Sequence, residues 1–310
     1  MAERDIRIES FLRKNGWDDA HKTPIAGDMS SRQYFRLQRG SQTAILMLSD
    51  QPIDSFVVMT DWLAGLDLSS PRILASELEG ELLILEDFGC TSIKQLLDAK
   101  PIWHEDVAEH IYTVLLTIRA SENLDLSCPD ARELVSWTNI TDSYVEDGRE
   151  GSLQLLRGRL ERVLAEVLNH EPTVSLRDFH SENMMWLPHR NDHKRIGLLD
   201  YQDAFLTHPV YDLVSWLTDA RTHIPDTTRV QSIRRYAERS GDNLMNLERA
   251  FAAFSVQRNL RIIGVFFRAK KKPSAMINTY NYLLEALAHP DFRDLRSDVI
   301  AALPTLQLTR

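Results

Sequence analysis

The sequence predicts an α+β protein, with a small β-rich N-terminal lobe over residues 1–88 and a larger, mainly helical C-terminal lobe over residues 89–310. Three observations carry that reading. Strand-like runs cluster before residue 88, helical periodicity dominates after it, and one short strand-rich island over residues 183–199 interrupts the helices. Residues 6–15 read as the first helix, with Ile6, Phe11 and Leu12 apolar and Gly16 as a stop signal. Strand texture follows at 34–37, 43–48, 72–76 and 81–85, the last two flanking Glu77-Leu78-Glu79-Gly80 as a short turn. Residues 53–66 between these runs have helical spacing, with Phe56, Met59, Trp62 and Leu63 on one face. After Glu86-Asp87-Phe88-Gly89, helical periodicity runs through 92–99, 104–120, 151–171, 228–240, 244–267 and 275–288. The island supplies two strands, 183–187 and 195–199. No repeat or low-complexity linker interrupts this order. Junctions between lobes of this kind are common ligand sites.

Composition narrows the function. The chain has 36 Lys+Arg against 45 Asp+Glu, a formal charge of −9, which disfavours a broad surface for nucleic-acid phosphates. No nucleic-acid partner is therefore expected, although a local basic pocket is compatible. With 43% hydrophobic and 26% charged residues, disordered and collagen-like classes are excluded. No window offers the roughly 18 or more uncharged apolar residues of a membrane span, so no membrane partner is expected. The charged N-terminal stretch lacks the apolar region of a secretory signal. Cys90 and Cys128 are too few for a disulfide framework and are expected to be lone buried thiols. A cytoplasmic protein with no evident obligatory protein partner is the expectation.

The chemistry-bearing stretch is Ser175 to Tyr211. Asp178 is followed five residues later by Asn183, then by a strand, a polar turn, a second strand and Asp200. D-x-x-x-x-N followed by a strand-borne Asp is the layout of kinase-like phosphotransferases. Asp178 would orient an acceptor hydroxyl and accept its proton. Mg²⁺ is a hard cation that prefers oxygen ligands; Asn183 offers a neutral carbonyl oxygen and Asp200 a carboxylate. Asp212, in Tyr211-Asp212-Leu213, opens a helix as a first-turn carboxylate.

Three segments carry a family resemblance: Leu176-Arg177-Asp178-Phe179-His180-Ser181-Glu182-Asn183, Gly197-Leu198-Leu199-Asp200-Tyr201-Gln202-Asp203-Ala204, and Pro209-Val210-Tyr211-Asp212-Leu213-Val214-Ser215. Together they resemble the aminoglycoside phosphotransferase family, which has a protein-kinase-like two-lobed fold. The wording of the first two, with Gln257-Arg258-Asn259-Leu260-Arg261 later, is similar to the bacterial anomeric kinases of N-acetylmuramate and N-acetylglucosamine, which phosphorylate the C1 hydroxyl. The resemblance implies ATP and Mg²⁺ as cofactors and a small-molecule substrate, a sugar. It implies Asp178 as base, Asn183 and Asp200 as metal ligands, and Arg177 and Asp212 as support for the catalytic loop. Gly27-Asp28-Met29-Ser30-Ser31-Arg32 would face the phosphates between the first two strands, with Ser30, Ser31 and Arg32 in contact. Glu86 and Phe88 would lie at the adenine, contacted through the backbone.

Two departures stand out. Leu176 replaces the usual loop histidine, and the strand Thr43-Ala44-Ile45-Leu46-Met47-Leu48 has Met47 near the expected phosphate-pairing lysine. Arg32 or Arg36 could supply the missing charge. His180, Glu182, Gln202, Asp203 and Arg258 are candidate substrate contacts. Arg268-Ala269-Lys270-Lys271-Lys272 either ends a solvated helix or attracts an anionic substrate. Alternatives remain open: another hydroxyl acceptor such as an aminoglycoside, choline or homoserine; a non-catalytic nucleotide-binding module; or a metal-dependent hydrolase using His180, His189, His193 and His208 with nearby Asp residues.

Overall fold

In the computed structural model, the described residues are 2–25, 32–77, 81–100, 104–145, 148–222, 224–269 and 273–303. The predicted class holds: a five-stranded antiparallel sheet is followed by a mostly helical region. The chain divides into two compact units, Met1–Thr91 with Met184–Asp203, and Ser92–Asn183 with Ala204–Arg310. A single boundary near residue 88 therefore misses the return of 184–203 to the first unit.

In the first unit, α1 (Ala2–Lys14) precedes β1 (His21–Ile25), β2 (Gln33–Arg39), β3 (Gln42–Leu48), α2 (Asp54–Gly65), β4 (Ile73–Glu77) and β5 (Leu82–Glu86). The sheet order is β1-β2-β3-β5-β4. Side chains alternate between the sheet's faces. Leu37, Ala44, Leu46, Leu48, Leu82 and Ile84 meet Ile8, Phe11 and Leu12 of α1 in one core. Ile6, expected on the apolar face of α1, is instead 67% exposed, and Ile8 takes the buried position. The other face carries Met47, which lies opposite Tyr34 on β2 and Leu83 on β5. β1 has no strand texture of its own: every residue is exposed and Pro24 breaks the donor pattern, as an edge strand allows. Beyond Glu77, the expected turn lies outside the described residues.

The returning hairpin pairs β7 (Met184–Trp186) with β8 (Ile196–Leu198). It joins the unit through Leu198 N donating to Ser69 O at 2.8 Å and Trp186 N donating to Thr91 O at 2.8 Å. Gly197 is required here, because a Cβ would come within 2.7 Å of the Phe88 ring.

The second unit contains α3 (Ile93–Ala99), α4 (His104–Arg119), α5 (Ala131–Ser136), α6 (Glu150–Val167), α7 (Tyr211–Leu217), α8 (Asp226–Ser240), α9 (Leu244–Arg268), α10 (Pro273–Ala286) and α11 (Arg296–Ala302). It also holds a 3₁₀ segment, Trp137–Tyr144, and the strand pair β6 (Thr173–Ser175) with β9 (Phe205–Thr207). Ser92 and Gln95 form a reciprocal capping box that starts α3. α9 is the central helix, buried on most sides against the 3₁₀ segment, α6, α7, α8 and α10. α5, α11, β6 and β9 are too short for periodicity to reveal.

Gly264 lets α9 approach the 3₁₀ segment: a Cβ there would lie 2.8 Å from the backbone carbon of Ile140 and 2.8 Å from Thr141 N. Because the obstacle is backbone, Gly264→Ala is expected to destabilise by about 2–3 kcal/mol. Chemical denaturation reads this as a lower midpoint at unchanged slope; an unshifted midpoint would show that the helix simply moves aside.

His208, between β9 and α7, is buried and accepts from Val210 N at 3.1 Å through Nδ1. Burial, then the neighbouring His170, pushes its pKa down to about 3. A His depressed in the folded state contributes stability present above its unfolded pKa and lost as pH falls toward the folded value. The protein is thus expected to lose about 2 kcal/mol from this group between pH 7 and pH 5. Urea unfolding of His208→Gln should show a correspondingly shallower acid slope than the wild type; parallel slopes would contradict it.

Candidate active site

The loop after β6 is held from beneath by the first turn of α7. Asp212 is 4% exposed, and its Oδ1 accepts from Ser175 Oγ at 2.8 Å while Oδ2 accepts from Leu176 N at 2.7 Å. Arg177 N in turn donates to Ser175 Oγ at 3.0 Å. Burial pushes the Asp212 carboxyl up to about 6, opposed by the bonds from Leu176 and Ser175. Leu176 replaces a loop histidine without cost to this support, because the bond uses its backbone.

Arg177 adopts φ 68°, a left-handed conformation uncommon for a residue with Cβ. Its guanidinium lies over Trp137 at 5.4 Å. The turn at Arg177 leads directly into Asp178, whose carbonyl accepts from His180 N at 3.0 Å and from Asn183 Nδ2 at 2.9 Å. The second bond holds the Asn183 amide with its nitrogen toward the loop. Asp178 and Asn183 are thus parts of one hydrogen-bonded turn.

A second buried carboxylate braces the loop, one that the sequence reading missed. Asp219 accepts from Ser181 N at 3.2 Å and from Arg221 N at 3.0 Å, with Ser181 Oγ also bonded to Thr222 Oγ1 at 2.7 Å. Burial raises the Asp219 carboxyl, but nearby Arg221 and the Ser181 bonds hold it below the ordinary range. Its position just after α7, in Thr218-Asp219, was the available signal. Glu182 forms an ion pair with Arg221 at 2.8 Å, so it is engaged within the loop. His180 is 6% exposed; burial first, then Arg221, lowers its pKa to about 4, so it is neutral at pH 7. Arg258 on α9 is also buried in this unit, and Asp178 is one of the charges acting on it.

The remaining expected site residues lie in the first unit. Asp200 is exposed and has φ 59°, so the chain turns sharply there. Its Oδ1 accepts from Gln202 Nε2 at 2.9 Å, and Gln202 Oε1 is buried with no protein partner. Asp203 is exposed. Tyr201, between them, is anchored on α2 by its hydroxyl bonding Thr60 Oγ1 at 2.7 Å and by stacking on Phe56 at 5.4 Å. In the second unit Asn183 offers a neutral amide oxygen and in the first Asp200 offers a carboxylate, each of the hard-oxygen type that magnesium prefers, and the orphaned Gln202 oxygen beside Asp200 suits a hydrated cation.

Met47 is fully buried, so its strand position holds an apolar side chain in place of a cation. Arg36 is not available as a substitute. It clamps Asp87 through Nε at 2.8 Å and Nη2 at 3.0 Å, and donates to Gly89 O at 2.8 Å. Arg32 hydrogen-bonds Tyr34, the residue opposite Met47, and the field of Asp200 reaches the same phenol, which burial pushes up to about 12. Glu86 is paired with Arg190 at 2.7 Å and Arg72 at 3.2 Å, and Phe88 lies beneath the Arg190 guanidinium at 5.1 Å. Ser30 and Ser31, with 27–29, lie outside the described residues, as do Lys270, Lys271 and Lys272.

Both cysteines are exposed, against the expectation of burial. Cys90 lies at the end of the Arg36 clamp, accepting from Nη1, and Cys128 precedes the N-cap of α5; both are loop positions. Among the described residues, no group of three or more His, Cys, Asp or Glu is placed to hold a metal ion. The hydrolase alternative built on His180, His189, His193 and His208 finds no such group among the described residues. No helix among the described residues is long and apolar enough to cross a membrane.

The family model described as "Phosphotransferase enzyme family", APH, matches residues 21–245, more than half of the chain. The chain belongs to the APH phosphotransferase family. It is a small-molecule kinase of a family whose kinases use ATP. It is 28% identical to the N-acetylmuramate/N-acetylglucosamine kinase of Caulobacter vibrioides, over 86% of this chain and 86% of that protein. Choline kinase LicA from Streptococcus pneumoniae superposes with a TM-score of 0.66 at 12% identity, covering 92% of this chain and 99% of that one. A thermostable mutant of aminoglycoside phosphotransferase APH(4)-Ia, in ternary complex with ADP and hygromycin B, superposes with a TM-score of 0.63 at 13% identity, covering 94% and 98%. Similarity at this level shows the fold of the APH chain; its acceptor is a separate question.

Proposed function

We propose that this APH-family kinase transfers phosphate from ATP to the C1 hydroxyl of an amino sugar, N-acetylmuramate or N-acetylglucosamine. The observation that carries the chemistry is the braced turn in which Asp178 and Asn183 share the Asp178 carbonyl bond, locked by Asp212. The sugar reading rests on the 28% identity to the Caulobacter vibrioides kinase over 86% of this chain.

In this reading Asp178 orients the acceptor hydroxyl and takes its proton as the new bond forms. Mg²⁺ would be held by Asn183 and Asp200 and would neutralise charge on the phosphates of ATP. Arg32 would serve the phosphates in place of the absent strand lysine, with Ser30 and Ser31 as further phosphate contacts. Glu86 and Phe88 would border the adenine, and Glu86 would do so through its backbone because its carboxylate is paired. His180, Gln202 and Asp203 would offer polar contacts to the sugar or the metal's water shell, whereas Glu182 would act through its pair with Arg221. The contribution of the protein is placement and electrostatics.

The test is ADP release with Mg·ATP across N-acetylmuramate, N-acetylglucosamine, an aminoglycoside and choline, with the product located by phosphorus NMR. Phosphate at C1 of an amino sugar is the expected result. Turnover confined to choline or the aminoglycoside would replace the acceptor assignment. ATP binding without turnover of any acceptor would favour a nucleotide-binding module.

A further inference from the structure

Arg258 has an unusual position for a cation. It lies on α9 with 3% of its surface exposed, and neither Nε nor Nη1 has a hydrogen-bond partner in the protein. Among the described residues no carboxylate forms an ion pair with it. A buried guanidinium left in this state is strongly unfavourable unless something else meets it.

The surrounding groups define what that could be. The carboxylates acting on Arg258 are Asp178 and Asp219. Asp219 is committed to Ser181 and Arg221, and Asp178 is the residue assigned to the acceptor hydroxyl. Arg261 acts on Arg258 as a second positive charge. Tyr211, fully buried in the first turn of α7, also has a hydroxyl without a partner, and Arg258 and Asp178 are both among its electrostatic neighbours. His180 Nδ1 is buried and without a partner as well. Tyr211 packs on Phe254, one turn before Arg258 on α9, with ring centroids 5.5 Å apart, and His180 N bonds the Asp178 carbonyl at 3.0 Å, so three unsatisfied polar side chains are grouped beside the assigned base. Their donors fit a monoanion. A dianion would meet stronger repulsion from Asp178 and Asp219, whereas a carboxylate matches a guanidinium in charge and shape.

We propose that Arg258 is the specificity residue for acceptors that carry a carboxylate, with the Tyr211 hydroxyl as its partner in holding that group. The inference rests on the sugar-kinase reading and deepens it: of the two sugars, N-acetylmuramate bears a lactyl carboxylate and N-acetylglucosamine does not. With the neutral sugar, Arg258 stays unpaired or is met by water, so the acid is the preferred acceptor.

The experiment compares kcat and KM for both sugars in the full-length wild type, Arg258→Gln and Arg258→Lys, with thermal unfolding of each. Arg258→Gln is expected to lower kcat/KM for N-acetylmuramate on the order of 100-fold more than for N-acetylglucosamine, the difference residing mainly in KM. Arg258→Lys should retain part of the preference, since charge survives while guanidinium geometry is lost. A substrate-side control needs no substitution: the methyl ester of N-acetylmuramate should lose the advantage of the acid with the wild-type enzyme. Equal losses for both sugars in a folded Arg258→Gln would overturn the proposal, as would an ester used as well as the acid. If the wild type turns over choline or an aminoglycoside but neither sugar, the sugar reading fails first and this inference falls with it.

Discussion

Asp178→Asn is expected to reduce kcat by roughly 10² to 10⁴-fold while leaving nucleotide affinity nearly unchanged. The physical basis is local. Asp178 follows the left-handed Arg177 and sits in a turn whose backbone bonds come from His180 and Asn183. An amide at 178 preserves volume and leaves those backbone bonds intact, so the loop keeps its shape. What is lost is the acceptor for a hydroxyl proton and a negative charge that orients the hydroxyl. Steady-state turnover measured beside calorimetric ATP binding separates the two effects. A clean variant with unchanged turnover would sink the base assignment, whereas loss of ATP binding would point to a structural role.

Asp212→Ala is expected to have the second-largest effect, on both stability and rate. The substitution leaves the Leu176 N–H and Ser175 hydroxyl without their carboxylate acceptor in a buried site. Two orphaned donors cost about 2–4 kcal/mol, offset in part because the buried charge disappears as well. Because the bonded residues immediately precede Asp178, displacement of the loop by about 1 Å is enough to cost on the order of 10²-fold in rate. The pH dependence carries a distinct sign. The folded pKa of Asp212, about 6, lies above the ordinary carboxylate value, so its contribution is fully present below the unfolded pKa and is lost as pH rises toward about 6. The stability difference between wild type and Asp212→Ala should therefore narrow between pH 4 and pH 6.5. A constant difference across that window, or full activity in the variant, would contradict the role.

Much of the candidate site was legible because its chemistry is local in the chain. Asp178 and Asn183 are five positions apart, and one turn is enough to bond the amide of the second to the carbonyl of the first. Asp212 was legible as a first-turn carboxylate, yet its target was not, since Leu176 lies 36 positions earlier. The choice between Arg32 and Arg36 could not be made from spacing. Strand alternation puts Arg36 beside Ile45 and Tyr34 beside Met47, and only pairing with the 87–90 segment shows that Arg36 is already occupied. Asp219 was missed because a lone Asp after a helix resembles any surface carboxylate until its burial is known. The exposed β1 and the short α5 and α11 carry too little apolar periodicity to be read.

The sequence by itself determined the order of the longer elements, the family and the identity of the chemical groups, because periodicity and motif spacing are properties of the chain. Tertiary structure decided which of those groups are buried, which are already paired, and which remain unsatisfied. Its physical basis is that burial removes water: Arg36 and Arg258 are both cations in the sequence, but one is neutralised by Asp87 and the other is left desolvated with Nε and Nη1 unbonded. That difference, set by residues distant in the chain, separates a structural clamp from a candidate contact for substrate.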